Sequence, residues 1–194
     1  DLLIMVGTSF PYRDYLPDKA KAVQIDIDPT QIGKRYPVTV GLIGDAKWTL
    51  SYLTQHTNYQ EDREFIEKCQ DNMKNWWAHL EKIEGEQSTP IKPQQIMPQL
   101  QKVLDDDAVL SIDVGNVTVW SARHLRVTNQ KFIISSWMAT MGCGLPGAIA
   151  GKLAHPDRQA VAICGDGGFT MVMQDFLTAV KYKLPMIVVV LNNE

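Results

Sequence analysis

Two short segments of the sequence carry side chains that can bind a metal ion, and one of them is rich in glycine. Gly165-Asp166-Gly167-Gly168 follows one apolar run, and Asn192-Asn193 follows the next apolar run along the chain. Glycines in such segments let backbone amides approach an anion, and a helix that follows directs its positive end toward that anion. An acidic residue beside these amides is reasonable if a cation lies between it and the anion. Since carboxylate and amide oxygens are ligands that Mg²⁺ takes alongside phosphate oxygens, we predict that Asp166 and Asn193 bind Mg²⁺.

The spacing of the segments predicts that they meet at one edge of a parallel sheet. The interval between Gly168 and Asn192 suits one helix and one strand, so the chain returns to the same edge. A third segment of this kind, Asp113-Val114-Gly115-Asn116, also follows an apolar run. In open parallel sheets, ligands bind beyond the carboxyl ends of the strands. Each segment alone is typical of an ordinary turn, whereas their occurrence at successive strand ends favours a binding site.

A competing pattern, G-x-G-x-x-G, occupies residues 142–147, and Asp166 lies at a suitable distance downstream to bind a ribose. By pattern alone it favours a nicotinamide dinucleotide site. The first glycine of that motif should follow its strand directly, but residues 136–141 intervene after the strand predicted at 132–135. The dinucleotide interpretation also leaves Gly167-Gly168 and Asn192-Asn193 without a role, so we prefer the metal and phosphate site.

Strands and helical connections alternate along the chain, which predicts an α/β fold with open parallel sheets and flanking helices. The predicted strands cover residues 2–6, 22–27, 38–43, 108–112, 132–135, 160–164 and 186–191. The predicted helices cover residues 46–53, 61–86, 93–104, 117–125, 145–153 and 170–183. We expect two partial doubly wound domains, at residues 1–56 and 90–194, joined by a helical connector at residues 57–89. Because a strand opens the chain and another nearly closes it, we expect a piece of a longer protein.

The connector is predicted to be an amphipathic helix. Apolar side chains recur there at intervals of three and four residues, which places them on one helix face. They are Phe65, Cys69, Met73, Trp76, Leu80 and Ile83. We expect this face to pack against the neighbouring domains.

Composition excludes several classes of protein. With 45% hydrophobic and 21% charged residues the composition is globular, and the net charge of −3 is spread without a basic block that would indicate nucleic-acid or anionic-membrane binding. The apolar runs are too short to cross a bilayer, and no secretory signal is visible. Cys69, Cys143 and Cys164 lack metal or redox spacing, so we expect free thiols and a cytoplasmic protein.

Residues 165–193, GDGGFTMVMQDFLTAVKYKLPMIVVVLNN, resemble the thiamine diphosphate motif of the pyruvate oxidase and acetohydroxyacid synthase group. The GDG triplet, the interval and the closing NN pair all agree with that motif. The resemblance extends upstream through residues 137–164 and 113–125, and residues 23–50 resemble the end of the family's middle domain. The stretch DVGNVTVW, residues 113–120, is similar to pyruvate oxidases, whereas acetohydroxyacid synthases usually have a Gly-Gln-His type sequence there.

The resemblance implies a set of cofactor contacts at particular positions. Asp166 and Asn193 would bind Mg²⁺, and Met141 would hold the two rings of thiamine diphosphate in their V shape. The implied contacts with thiamine diphosphate are Gly115, Asn116, Ala139, Thr140, Met141, Gly142, Gly165, Gly167 and Gly168. The implied contacts with FAD are Gly7, Thr8, Phe10, Asp26, Ile27 and Asp45. From the residues alone, Met141 could equally be a core methionine, and Asp26 with Asp28 could cap the turn before Pro29.

The implied activity is the oxidative decarboxylation of pyruvate by a homo-oligomer, a dimer or tetramer, that contains FAD. An acetolactate synthase-like member of the family and a non-catalytic α/β cofactor-binding domain are the alternatives. In this family the glutamate that activates the pyrimidine lies in an N-terminal domain, and a third metal contact follows the NN pair. The first lies outside this sequence and the second falls beyond Glu194, so we expect the 194-residue chain alone to be inactive.

Overall fold

The computed structural model describes residues 2–193, so Asp1 and Glu194 lie outside the described residues. The strands are β1 (Leu2–Val6), β2 (Lys21–Asp26), β3 (Val40–Ile43), β4 (Val109–Ile112), β5 (Lys131–Ile133), β6 (Ala160–Gly165) and β7 (Ile187–Leu191). The helices are α1 (Ala46–His56), α2 (Glu64–Glu84), α3 (Pro93–Gln101), α4 (Asn116–His124), α5 (Gly144–Ala154), α6 (Asp166–Val172) and α7 (Phe176–Lys181). All strand pairs are parallel, so the predicted α/β fold with parallel sheets and flanking helices is confirmed.

The chain divides into two compact units, Asp1–Phe65 and Ile66–Glu194. The first unit contains a three-stranded sheet in the order β1-β2-β3, with Ala22 and Ile25 of the central strand fully buried. The expected alternation of strands and helical connections does not hold within this sheet, although no particular helix is predicted between its strands. The connecting segments hold only the 3₁₀ turns Arg13–Tyr15 and Pro29–Gln31, and prolines in both segments oppose an α-helix. The boundaries predicted at residues 56 and 89 stay a prediction.

The second unit contains a four-stranded sheet in the order β5-β4-β6-β7. Every residue of β4 and all but the last residue of β6 are buried. This burial explains why both strands read as continuous apolar runs, since helices cover both faces of such a sheet. The largest apolar side chains of this core with almost no exposure are Met97, Leu110, Ile112, Leu145 and Ile163.

The strand order of the second sheet creates a crevice between β4 and β6. The connection that leaves β4 through α4 leads to β5 on one side of the sheet. The connection that leaves β6 through α6 and α7 leads to β7 on the other side. Ligands of open α/β sheets bind where two neighbouring connections diverge in this way. The three segments predicted to bind a metal ion and phosphate follow β4, β6 and β7.

Helix α5 packs closely on β4 through three of its glycines. The facing pairs are Gly144 with Asp113, Gly147 with Ser111, and Gly151 with Val109. A Cβ atom added at Gly151 would lie only 2.6 Å from Cγ1 of Val109. Alternate strand residues share one face, so they meet helix residues three or four apart. Two glycines of the G-x-G-x-x-G pattern therefore serve this close helix–strand packing.

The helix predicted at residues 170–183 begins four residues earlier and is interrupted. Helix α6 starts at Asp166, the 3₁₀ turn Met173–Asp175 follows it, and α7 completes the segment. Asp166, Gly167 and Gly168 thus form the first helical turn rather than a loop before the helix. The amides of a first turn have no acceptor within their own helix. They are available to a ligand at the crevice.

Connector helix α2 packs over only part of its length. Leu80 is buried, but Cys69, Met73 and Trp76 of the same predicted face are exposed. The expectation that the whole apolar face packs against neighbouring elements is therefore wrong for the chain as described. The pattern identified the helix and its face, while burial is confined to the C-terminal turns.

A buried ionic cluster anchors the end of α2. The Glu84 carboxylate lies 2.8 Å from Nδ1 of His124 and accepts a hydrogen bond of 3.1 Å from Nη1 of Arg126. The Arg126 guanidinium also lies 4.3 Å from the ring centre of Trp77. Glu84 therefore joins the connector helix to the last residue of α4, whose first turn faces the crevice.

The three cysteines are free thiols, as predicted. Cys69 is exposed, whereas Cys164 is fully buried on β6. Burial, together with the Asp113 carboxylate nearby, raises the pKa of the Cys164 thiol to about 12. Within residues 2–193, no helix combines the length and the apolar content that crossing a membrane requires.

Candidate functional site

A cleft of about 170 Å³ lies at the carboxyl ends of β4, β6 and β7. The predicted cofactor and metal residues that line it are Gly115, Asn116, Met141, Gly165, Asp166, Gly167, Gly168 and Asn193. Val114, Val117 and Trp120 complete the lining. The structure thus brings the three strand-end segments together and adds Met141 from the loop before α5. A larger groove of about 870 Å³ between β3 and α1 has no charged side chain in its lining, so we assign the chemistry to the smaller cleft.

The first wall of the cleft is the turn between β4 and α4. Gly115 precedes the helix with a φ of 141°, a left-handed conformation that favours glycine. Its amide donates to Oγ1 of Thr118, and that hydroxyl donates to the Asp113 carbonyl. Gly115 therefore contributes backbone shape, while Asn116 and Val117 offer first-turn amides to a ligand. Thr118 was not predicted as a site residue. A hydroxyl three residues after a glycine N-cap can, however, indicate a side chain that binds back to the turn.

The second wall is the end of β6 and the first turn of α6. A Cβ atom at Gly165 would meet no atom within 4 Å, and one at Gly167 would meet only Cε of Met141 at 3.8 Å. The backbone here is open on the cleft side, as the approach of an anion requires. Asp166 is exposed at this opening.

The third wall is the end of β7. Gly165 pairs with Leu191 in the parallel register, so the residues that follow each strand, including Asp166 and Asn193, come to the same end of the sheet. Within residues 2–193, no three His, Cys, Asp or Glu side chains cluster in a way that could hold a metal ion. A cation here would have one carboxylate and one amide from this chain, so phosphate oxygens and water must complete its shell.

Met141 enters the cleft from the loop between β5 and α5. Its side chain is 47% exposed, so the alternative of a core methionine is wrong. The loop is shaped by left-handed residues on both sides of Met141, with φ of 49° at Ala139 and 84° at Gly142. Ser135 binds the loop at its start, because its carbonyl accepts from the Ala139 amide and its Oγ accepts from the Thr140 amide. Ala139 and Thr140 are exposed beside the cleft rather than in its lining.

Asp113 is a residue that sequence reasoning did not single out. It is completely buried behind the cleft, and its Oδ1 accepts hydrogen bonds of 2.7 Å from the amides of Val114 and Gly142. Its position directly after an apolar strand was visible in the sequence. Nothing in the pattern indicated that the side chain turns inward, because acidic residues at strand ends are usually exposed.

The donors of the cleft fit a diphosphate group with Mg²⁺. Glycine backbone on two walls leaves room for phosphate oxygens, and Asp166 with Asn193 offers the hard oxygen ligands that Mg²⁺ prefers. Among residues 2–193, no lysine, arginine or histidine lines the cleft to neutralise an anion. A cation must therefore balance the charge of a bound diphosphate.

The residues implied for FAD lie at the carboxyl ends of the strands in the first unit. Gly7 follows β1 with a φ of 55°, and its amide donates to the Ile25 carbonyl. Thr8 Oγ1 accepts from the Phe10 amide. These bonds fix the turn after β1 and leave its outer surface exposed.

The acidic residues of this edge also have local roles. Oδ1 of Asp26 accepts from the Asp28 amide, while Asp28 caps the 3₁₀ turn through the Thr30 amide and hydroxyl. These bonds from Thr30 lower the pKa of Asp28. Capping of the turn before Pro29 is thus confirmed for Asp28.

Two further residues complete this edge of the first sheet. Asp45 caps α1 by accepting from the Trp48 amide at 3.1 Å. Ile27 is 74% exposed. The helix cap explains the presence of Asp45 without a ligand. Ile27 is exposed and makes no comparable contact among residues 2–193 that would explain its presence.

Two family models match the chain. The thiamine pyrophosphate enzyme C-terminal domain, which binds thiamine pyrophosphate, matches residues 113–194, and the thiamine pyrophosphate enzyme central domain matches residues 1–53. The fold and the cleft define a protein that binds this cofactor, and the chain belongs to the thiamine pyrophosphate enzyme family. Thiamine pyrophosphate is another name for thiamine diphosphate.

Curated relatives align over the whole chain. It is 63% identical to "Putative thiamine pyrophosphate-containing protein YdaP" of Bacillus subtilis (strain 168), of which it covers 34%. It is 38% identical to a pyruvate oxidase of Lactiplantibacillus plantarum, of which it covers 33%. It is 34% identical to an acetolactate synthase large subunit of Porphyra purpurea, of which it covers 34%. The chain therefore spans about a third of the length of these relatives.

Proposed function

We propose that the intact protein is a thiamine diphosphate- and Mg²⁺-dependent, FAD-containing pyruvate oxidase that catalyses the oxidative decarboxylation of pyruvate. The observation that carries this proposal is the cleft, where Asp166 and Asn193 lie at the ends of β6 and β7 beside glycines that follow β4 and β6. One point favours pyruvate oxidase over acetolactate synthase. Residues 113–120 have the sequence DVGNVTVW, which resembles pyruvate oxidases.

In this proposal Asp166 and Asn193 would hold Mg²⁺. The Asp166 carboxylate and a bound diphosphate are both negative, and the charge of the cation would offset their repulsion. Asn193 adds a neutral amide oxygen. Gly167 and Gly168, together with the turn at Gly115 and Asn116, present backbone rather than side chains to the phosphate oxygens.

The protein orients the cofactor and excludes water from it. When bound, thiamine diphosphate supplies the electron sink for decarboxylation of a 2-oxo acid, and FAD supplies the oxidant. Met141 offers a flexible apolar side chain to the cofactor rings, which suits an irregular contact surface. The backbone of Ala139, Thr140 and Gly142 lies beside it.

We also propose that FAD binds across the carboxyl edge of the first sheet, where a dinucleotide would meet the ends of all three strands. The residues assigned to it are Gly7, Thr8, Phe10, Asp26, Ile27 and Asp45. Residues 1–56 would be part of the middle domain, 57–89 the connector and 90–194 part of the thiamine diphosphate-binding domain. The intact enzyme would be a cytoplasmic dimer or tetramer with its active site between subunits.

Titration of the intact protein with thiamine diphosphate, with and without Mg²⁺, tests the metal site. Asp166→Ala should abolish Mg²⁺-dependent binding, because among residues 2–193 it removes the only charged ligand of the cleft lining. Asn193→Ala should weaken binding less, because a neutral amide contributes less to holding a hard cation. Asp157→Ala, an exposed acidic residue beyond α5, is the matched control. Equal affinity in wild type and Asp166→Ala would refute the metal site.

Product analysis of the intact protein separates the candidate activities. A pyruvate oxidase releases CO₂ from pyruvate while its flavin or an added electron acceptor is reduced. An acetolactate synthase forms acetolactate without net oxidation. Flavin absorbance with acceptor reduction supports the proposal, whereas acetolactate without acceptor reduction favours the alternative. Cofactor binding without turnover would indicate a non-catalytic domain.

A further inference from the structure

Asp113 is a fully buried carboxylate directly behind the cleft, at the end of β4. Its Oδ1 accepts from the amides of Val114 and Gly142, each at 2.7 Å. Its Oδ2 makes no hydrogen bond of ordinary geometry among residues 2–193, although the Cys164 thiol interacts with this carboxylate from β6. Burial of a carboxylate with so few strong donors is costly, so a simple packing role does not account for this side chain.

Three segments of the second unit contact this carboxylate. The Gly142 amide binds it from the loop before α5. A Cβ atom at Gly144, the first residue of α5, would lie 3.2 Å from Oδ2. A Cβ atom at Gly168, in the first turn of α6, would lie 2.6 Å from the same oxygen. The backbones of α5 and α6 can approach this closely only because neither residue has a side chain.

The bond to Gly142 determines where Met141 lies. Gly142 is buried, while the neighbouring Met141 is half exposed in the cleft. The start of the loop is bound by Ser135, and the Asp113 carboxylate holds its far end. Without that acceptor, the buried Gly142 amide would need a new partner, and the loop would have to move to find one.

We propose that Asp113 is a positioning residue, whose carboxylate fixes the Met141–Gly142 segment against the first turn of α6. This inference rests on the proposed function, because it concerns the contacts with the cofactor rings assigned there to Met141 and Gly142. Through the Gly142 amide, Asp113 acts on the half of the cleft that receives the rings. Its carboxylate also binds the Val114 amide, but the Gly115 turn keeps its separate bonds through Thr118 Oγ1. The half that receives the diphosphate depends on Gly115, Asn116 and the first turn of α6.

The test measures the affinity of the intact protein for two probes in the presence of Mg²⁺, thiamine diphosphate and inorganic pyrophosphate. Asp113→Ala should lower thiamine diphosphate affinity about tenfold, because the Gly142 amide loses its acceptor, while pyrophosphate affinity changes less than about threefold. Asp113→Asn keeps an oxygen acceptor and should restore thiamine diphosphate affinity to within about threefold of wild type. Ser111→Ala is the matched control, since Ser111 is equally buried on the same strand face and its hydroxyl lies 3.5 Å from the Cys143 carbonyl, too far for a bond that would hold the loop.

A second measurement does not depend on any ligand. Amide hydrogen exchange of residues 134–143 should accelerate in Asp113→Ala and stay at the wild-type rate in Ser111→Ala and Asp113→Asn. Thermal unfolding identifies variants that are folded. If Asp113→Ala does not fold, the affinities are measured in Asp113→Asn instead. A wild-type ratio of thiamine diphosphate affinity to pyrophosphate affinity in that variant supports the proposal.

Several results would overturn the inference. The first is an equal loss of affinity for both probes in Asp113→Ala, and the second is the same change of affinity or exchange rate in Ser111→Ala. The others are an Asp113→Asn variant that does not recover thiamine diphosphate affinity and one that does not fold. Wild-type protein that does not bind thiamine diphosphate would refute the proposed function and the inference with it. Wild-type protein that binds the cofactor no better than folded Asp113→Ala would refute the inference alone.

Discussion

Alanine substitution at Gly168 and at Gly165 should separate folding from cofactor binding, although both glycines line the same cleft. A Cβ atom at Gly168 would lie 2.6 Å from Oδ2 and 2.8 Å from Cγ of Asp113. The carboxylate cannot retreat easily, because two backbone amides hold its other oxygen. A Cβ atom at Gly165 would meet nothing within 4 Å.

The free energies follow from these distances. Overpacking of a core lowers the free energy of unfolding by about 1–3 kcal/mol, whereas replacing a helical glycine by alanine raises it by about 0.5–1 kcal/mol. Gly168→Ala should therefore lower the free energy of unfolding by about 1–2 kcal/mol. Gly165→Ala should change it by less than about 0.5 kcal/mol, since no neighbour is displaced. The new methyl group at Gly165 should nevertheless weaken cofactor binding, because it occupies space in the cleft.

Denaturant unfolding of the cofactor-free intact protein measures the first effect, and titration with thiamine diphosphate and Mg²⁺ measures the second. We expect Gly168→Ala to lose stability and Gly165→Ala to lose affinity at unchanged stability. The reasoning would be refuted if Gly165→Ala were as destabilised as Gly168→Ala. Wild-type affinity in Gly165→Ala would remove that strand end from the cofactor site.

Three further substitutions or reactions test other parts of the structure. Glu84→Ala should lower the free energy of unfolding by about 2 kcal/mol in denaturant titrations, less than a fully buried ion pair because Arg126 is partly exposed. Iodoacetamide at pH 8 should modify Cys69 but not Cys164, as peptide mapping can verify. The Cys164 pKa is about 12 against an ordinary 9.0, so its contribution to stability is complete below pH 9 and is lost as the pH rises toward 12. Asp26→Ala in the intact protein should lower flavin content measured by absorbance, whereas Asp28→Ala should leave it unchanged.

Much of the cleft could be predicted because each of its walls begins where an apolar strand ends. Asp166 and Asn193 follow apolar runs, and the parallel register brings such ends together without further information. The start of α6 at Asp166 was missed because glycine has a poor intrinsic helix propensity, which the neighbouring structure overrides here. Asp113 was missed because its inward orientation depends on Gly142, Gly144 and Gly168, which are distant in sequence.

The connector and the first unit limit sequence prediction for different reasons. Periodicity identifies the apolar face of α2, but the depth of burial along that face depends on which elements lie opposite, and only Leu80 is fully buried. The general alternation of strands and helical connections fails in the first unit, where prolines such as Pro29 and Pro37 oppose a helix.

The glycine contacts of α5 have a consequence for how this protein can change over evolutionary time. One side of the helix touches β4 at Gly144, Gly147 and Gly151, where any side chain meets a strand atom. The opposite side carries residues such as Ala150 and Leu153, which are exposed. Substitutions can therefore accumulate on the outer side, while the inner side admits almost none unless the facing strand residue shrinks at the same time. Sequence divergence along this one helix should follow a period of three to four residues, and changes at Gly147 should accompany changes at Ser111.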